Sequence, residues 1–165
     1  MKKFFTILSF FIIVFSNFTK VYAVEPDVFV QTTVNRAAKT LGQSLTKEQR
    51  VEKLKDIARE TVDIRGIGFY SLGAHRKGLN KDQLENYKNI FEAYFLKSFS
   101  SRLAEYTNPE IDVFGKEVLS DKYTIVNSLL KATPERPEVK IDWRIYTKSK
   151  ENPLIRDLII EGLSL

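Results

Sequence analysis

The apolar residues of this chain change period once, between Tyr106 and Pro109, and that change constrains the fold more than any other feature. Before it they recur at three- and four-residue steps, as amphipathic helices require; after it they alternate, as strands with one buried face require. A chain that makes its helices first and its strands afterwards does not build alternating βαβ units. The order predicts an α+β domain, with N-terminal helices packed on one face of a curved, mainly antiparallel C-terminal sheet.

Four helices are expected before the switch. Asp27 to Leu41 sets Val28, Val34, Ala38 and Leu41 near one stripe, and Gly42 suits its end. Thr46-Lys47-Glu48-Gln49 has capping-box form, a hydroxyl and an amide three residues apart that satisfy free backbone N–H groups, ahead of Val51, Leu54, Ile57 and Ala58. Ile64 to His75 reads as a third helix. Gly66 and Gly68 weaken it by up to ~1 kcal/mol each, while allowing close backbone approach. Asn80-Lys81-Asp82-Gln83 repeats the cap and opens the longest helix, which carries Leu84, Tyr87, Phe91, Tyr94, Phe95, Phe99 and Leu103.

From Ile111 onward the apolar runs are short and rich in β-branched and aromatic residues: Ile111 to Phe114, Tyr123 to Leu130, Val139 to Thr147 and Ile155 to Leu163. Polar, proline-punctuated segments at Thr133 to Pro137 and Ser149 to Pro153 join them, so sequential strands are expected to be hairpin neighbours. In the third run Val139, Ile141, Trp143 and Ile145 alternate with Lys140, Asp142, Arg144 and Tyr146. The first set belongs on the helix-covered face. Together with the aromatic helix it suits either a packed core or an apolar cavity.

The first 23 residues stand outside this domain. Lys2 and Lys3 precede an almost uncharged run from Phe4 to Phe18, followed by Val21-Tyr22-Ala23. The run falls short of the ~20 residues that span a bilayer and has the grammar of a signal peptide, with cleavage expected after Ala23. An uncleaved anchor is the alternative; under either reading the domain, residues 24–165, is expected outside the cytoplasm. Removing Lys2, Lys3 and Lys20 lowers the formal charge from +5 to +2, and the remaining basic residues are interspersed with acidic ones, so no nucleic-acid footprint is expected.

Chemistry is sparse. The chain has no cysteine, which excludes thiolate-held zinc, iron–sulfur clusters, disulfide scaffolds and cysteine enzymes. Its one histidine, His75, lies in the glycine-flanked basic turn Gly73-Ala74-His75-Arg76-Lys77-Gly78, with no metal-ligand spacing around it. Ser71 sits in no nucleophile-elbow pattern. Asp157 and Glu161 could in principle share acid–base work, yet their spacing also describes an ordinary charged face. No catalytic site is expected. The basic turn could meet anionic head groups at a membrane, or simply be solvated.

Several of these features, in this order, resemble the MlaC family of periplasmic phospholipid-binding proteins, also called the toluene-tolerance auxiliary family. They are the leader, the early helix pair, Arg65 after Thr61-Val62-Asp63-Ile64, the Leu72-Gly73 pair, the Gln83-to-Tyr106 helix, Asp142-Trp143-Arg144, and the closing Asp157-Leu158-Ile159-Ile160-Glu161-Gly162-Leu163-Ser164-Leu165. The resemblance implies a non-enzymatic periplasmic carrier without a cofactor, holding phospholipid as cargo in an apolar cavity. It further implies shuttling between the outer and inner membranes as the soluble part of an ABC-type system that maintains outer-membrane asymmetry. The partners so implied are an outer-membrane lipoprotein–porin complex and an inner-membrane ABC permease with its lipid-binding subunit. Family members usually continue into a terminal helix; this sequence stops at Leu165, so the domain is expected to lack it. Where the family often has a tryptophan before its last strand, Asn152-Pro153-Leu154 stands here.

A lipid carrier has its own physical requirements. Two acyl chains expose on the order of thirty methylenes at ~0.8 kcal/mol each, so the cargo cannot dissociate into water and must pass directly between apolar environments. The candidate lining is Phe69, Leu72, Phe91, Phe95, Phe99, Ile141, Trp143 and Ile145. The same residues would also serve a plain core, and an interaction module with a solid core is the competing reading.

Overall fold

A computed structural model describes residues 23–164. The leader assigned to residues 1–23 lies outside them, apart from Ala23, which is exposed. Four helices come first: α1 (Pro26–Leu41), α2 (Lys47–Thr61), α3 (Ile64–Leu72) and α4 (Lys81–Leu103); a 3-10 turn, Gly73–Gly78, separates the last two. Five strands follow: β1 (Ile111–Val118), β2 (Tyr123–Leu130), β3 (Val139–Tyr146), β4 (Leu154–Ile160) and β5 (Leu163–Ser164). The α+β expectation holds. The sheet is an antiparallel meander in sequence order, β1-β2-β3-β4-β5, and it is open.

Local chemistry sets the helix ends. Both capping boxes form: Thr46 with Gln49, and Asn80 with Gln83, each exchange a pair of backbone-to-side-chain hydrogen bonds. α3 stops at Leu72, short of the expected His75, because Gly73 takes a φ of 53° that a helix cannot continue through. In α1 the buried stripe runs through Val30, Val34 and Leu41, and Val28 is exposed. Val28 is out of phase with that stripe by two residues, about 200° of helix.

The strands differ from expectation at three places. β1 extends to Val118 and carries a bulge at Phe114, where the register to β2 slips between Val113 and Gly115. β4 carries another at Arg156, opposite Arg144 and Ile145 of β3. Such bulges bend and twist the strands that bear them. The last apolar run is two strands rather than one: Glu161 (φ 49°) and Gly162 (φ 82°) form a two-residue turn that folds Leu163 back onto Ile160. Positive φ at both central positions is the type I′ geometry that matches strand twist.

The main core lies between the helices and the sheet, built on Val30, Val34, Ala58, Val62, Leu96, Val126, Ile141, Trp143, Ile145 and Ile155. A smaller core joins α1, α2 and α4 through Leu41, Leu54 and Ala104. α4 packs its backbone on α2 and α3, whereas α1 and α3 lie on the sheet. Side chains therefore bridge the space between α4 and the strands.

Candidate functional site

Those bridging side chains are a column of rings. Tyr87, Phe91, Phe95 and Phe99 follow one another at four-residue steps along α4, with successive centroids 5.7, 6.2 and 5.4 Å apart and interplanar angles of 29°, 26° and 16°. Residues four apart share a helix face, which is what brings the rings into a row. All four are half-buried. Tyr94, one position before Phe95, points away from the row and is 68% exposed, contrary to the apolar stripe read from sequence.

Two walls face the column. On α3, Gly68 gives room for Phe91: a Cβ there would lie 2.8 Å from the ring. The Tyr87 hydroxyl donates to the Gly68 carbonyl at 3.1 Å and ties the two helices together. α3 is anchored in turn by Asp63, whose carboxylate accepts from Gly66 N–H at 2.8 Å and pairs with Arg156 at the β4 bulge. On the sheet, Ile141, Trp143 and Ile145 are buried, with Phe91, Phe95 and Phe99 packed against their cluster. The Trp143 indole N–H donates to Ser128 Oγ at 2.8 Å, and that hydroxyl donates to the Ile141 carbonyl at 2.9 Å. The indole is thereby fixed with its polar edge satisfied.

Six of the candidate residues thus meet in one layer: Phe91, Phe95, Phe99, Ile141, Trp143 and Ile145. Phe69 joins them at the end of the column, lining a crevice of about 10 Å³ with Gly68, Tyr87 and Phe91. Leu72, half-buried in the last turn of α3, neither packs on this cluster nor lines the crevice. Sequence reasoning left out Tyr87, although its four-residue offset from Phe91 was a usable signal. The rings of the column themselves occupy part of the layer beside the Phe69 crevice. A void lined by apolar atoms forfeits dispersion contacts, and phenyl side chains are large enough to fill it.

Charge gathers at the Phe69 end. The Arg76 guanidinium stands 5.6 Å, and the Lys88 ammonium 5.5 Å, from the centre of the Phe69 ring. Lys88 also donates to Glu85 at 2.7 Å, which holds that carboxyl below its ordinary value. A second opening, about 220 Å³, lies between the α4–β1 and β2–β3 loops, lined by Tyr106, Asn108, Glu110, Lys131 and Arg136 among others. There Arg136 stacks on Tyr106 at 4.3 Å, and Lys131 is bound by Glu110 and Asp112 at 3.2 and 3.1 Å. Asp157 and Glu161 are engaged by separate partners. Asp157 accepts from Arg144 and Ser164, while Glu161 accepts from the Lys140 backbone. His75 is exposed in the 3-10 turn. Among the described residues, no group of three or more His, Asp or Glu could hold a metal ion.

A family model described as MlaC protein matches residues 30–165. The chain belongs to the MlaC family. A solved structure with the same fold is the phospholipid-binding protein from Ralstonia solanacearum, in complex with a phospholipid. It superposes with a TM-score of 0.69 at 15% identity, covering 86% of this chain and 80% of that one. No curated protein matches the sequence. Within the MlaC family's fold, the ring column, the Trp143 wall and the Phe69 crevice are this chain's own apolar surfaces between helices and sheet.

Proposed function

We propose that this protein is a periplasmic phospholipid carrier, binding its cargo by the acyl chains between the α4 ring column and the sheet. The observation that carries this reading is membership in the MlaC family over residues 30–165, on a fold shared with a protein solved in complex with phospholipid. The lining comprises Phe69, Phe91, Phe95, Phe99, Ile141, Trp143 and Ile145. Ring rotation and a small outward shift of α4 would open the layer at the expense of the Tyr87–Gly68 hydrogen bond. No catalytic step is required, since the free energy of transfer lies in acyl-chain burial at both ends.

In the same reading the carrier is exported by its leader and cleaved after Ala23. It moves lipid between an outer-membrane lipoprotein–porin complex and an inner-membrane ABC permease with its lipid-binding subunit, and so maintains outer-membrane asymmetry. Transfer of a fluorescent phospholipid from donor to acceptor vesicles tests the shuttle. The protein is expected to accelerate transfer in proportion to its concentration, and no acceleration by folded protein would contradict it. The small volume of the Phe69 crevice favours one other reading, an interaction module with a solid core. That reading requires folded protein that never takes up lipid.

A further inference from the structure

The Phe69 end of the ring column gathers positive charge beside an apolar crevice. Beyond the C-terminal end of α4, Lys131 is already bound by Glu110 and Asp112, and Arg136 is stacked on Tyr106. At the Phe69 end Arg76 and Lys88 both stand within 6 Å of the Phe69 ring, and Arg65 lines the crevice beside it. Among the described residues neither Arg65 nor Arg76 forms an ion pair; Lys88 has Glu85, and Glu92 also lines the crevice. An anion placed beside Arg65, Arg76 and Lys88 forms charge-assisted hydrogen bonds and offsets the repulsion among these like charges.

We propose that Arg65, Arg76 and Lys88 form a collar that holds the phosphate of a bound amphiphile at the Phe69 end, with its acyl chains running along Phe91, Phe95 and Phe99. Phe69 serves both parts: its ring attracts the two cations, and it borders the apolar layer. The inference rests on the carrier reading and adds to it an orientation and a head-group contact. A collar of this kind recognises the phosphate common to phospholipids and is indifferent to what the phosphate is esterified with. The anionic group could come from a lipid or from free phosphate, and the collar is assigned here to the lipid because it adjoins the ring column.

Trp143 is the chain's one tryptophan and lies in the sheet wall, so its fluorescence reports occupancy directly. The purified protein is titrated with dioctanoyl phosphatidylglycerol, with dioctanoylglycerol, which has the same chains and no phosphate, and with inorganic phosphate. The wild type is expected to favour the phospholipid over the diacylglycerol by about tenfold or more. The double variant R76Q/K88Q is expected to lose about tenfold in phospholipid affinity and to keep its diacylglycerol affinity, whereas R76K/K88R retains both. Equal affinity of the wild type for the two lipids, or a double variant that binds phospholipid like the wild type, overturns the collar and leaves the carrier reading standing. A wild type that binds neither lipid overturns both. Saturation by inorganic phosphate as tight as by the phospholipid overturns the lipid assignment in favour of a free-phosphate site.

Discussion

The hydroxyls of Ser128 and Ser100 are both fully buried, and they do opposite things. Ser128 accepts from the Trp143 indole and donates to the Ile141 carbonyl, so it satisfies two groups in the sheet wall. Ser100, on α4, has no hydrogen-bond partner among the described residues. Removing the first leaves a buried N–H unpaired, whereas removing the second discards a polar atom that already lacked a partner. Ser128→Ala is therefore expected to cost about 1–3 kcal/mol, and Ser100→Ala to be neutral or stabilising by up to about 1 kcal/mol. Urea midpoints of the two variants measure this, and a larger loss for Ser100→Ala than for Ser128→Ala would contradict it. Alternation in β3 made Trp143 legible as an inward residue. Its partner was not, because Ser128 reads as an interruption of an apolar strand until the register pairs it with Ile141.

At the scale of elements, α1 is fastened to the edge strand β1 by Lys116, which reaches Glu25 and Asp27 at 2.6 and 2.8 Å. The hydrogen bond from Lys116 holds the Asp27 carboxyl below its ordinary 3.8, and the bonds to Asp27 and Glu25 hold Lys116 above its ordinary 10.5. The depressed carboxyl contributes stability that is present above its unfolded pKa and lost as pH falls through the folded one. The raised ammonium contributes stability present below its unfolded pKa and lost as pH rises through the folded one. The fastening is complete at neutral pH and gone at both extremes. With Lys116 and Asp27 about one-third exposed and Glu25 more so, it amounts to ~0.5 kcal/mol. Lys116→Met is expected to melt slightly below the wild type at pH 7 and level with it at pH 2; an equal difference at both would show that the pair does not titrate. The ring column makes its own prediction. Phe95→Asp places a charge among stacked rings and is expected to abolish lipid retention, while Phe95→Leu keeps most of it. A folded Phe95→Asp protein with unchanged lipid content would remove Phe95 from the site. The helices and their caps were legible because capping boxes and four-residue steps are local. The bulges at Phe114 and Arg156 were not, since they arise from fitting strands across a bent sheet. The break at Glu161-Gly162 was hidden because apolar residues continue on both sides of the turn.

For the whole molecule, the one change of apolar period was enough to give the two-layer α+β architecture, because segregated helices and strands can bury their apolar faces only against each other. It did not distinguish a solid core from an apolar layer able to open. That distinction depends on how side chains fill the span between α4 and the sheet, a tertiary property with no sequence period. The central claim is that lipid occupies this span. Native mass spectrometry of protein purified from a bacterial periplasm without detergent, followed by organic extraction, tests it most directly. The carrier reading expects one phospholipid bound per chain; folded protein that carries none, and takes none up from phospholipid vesicles, would contradict it.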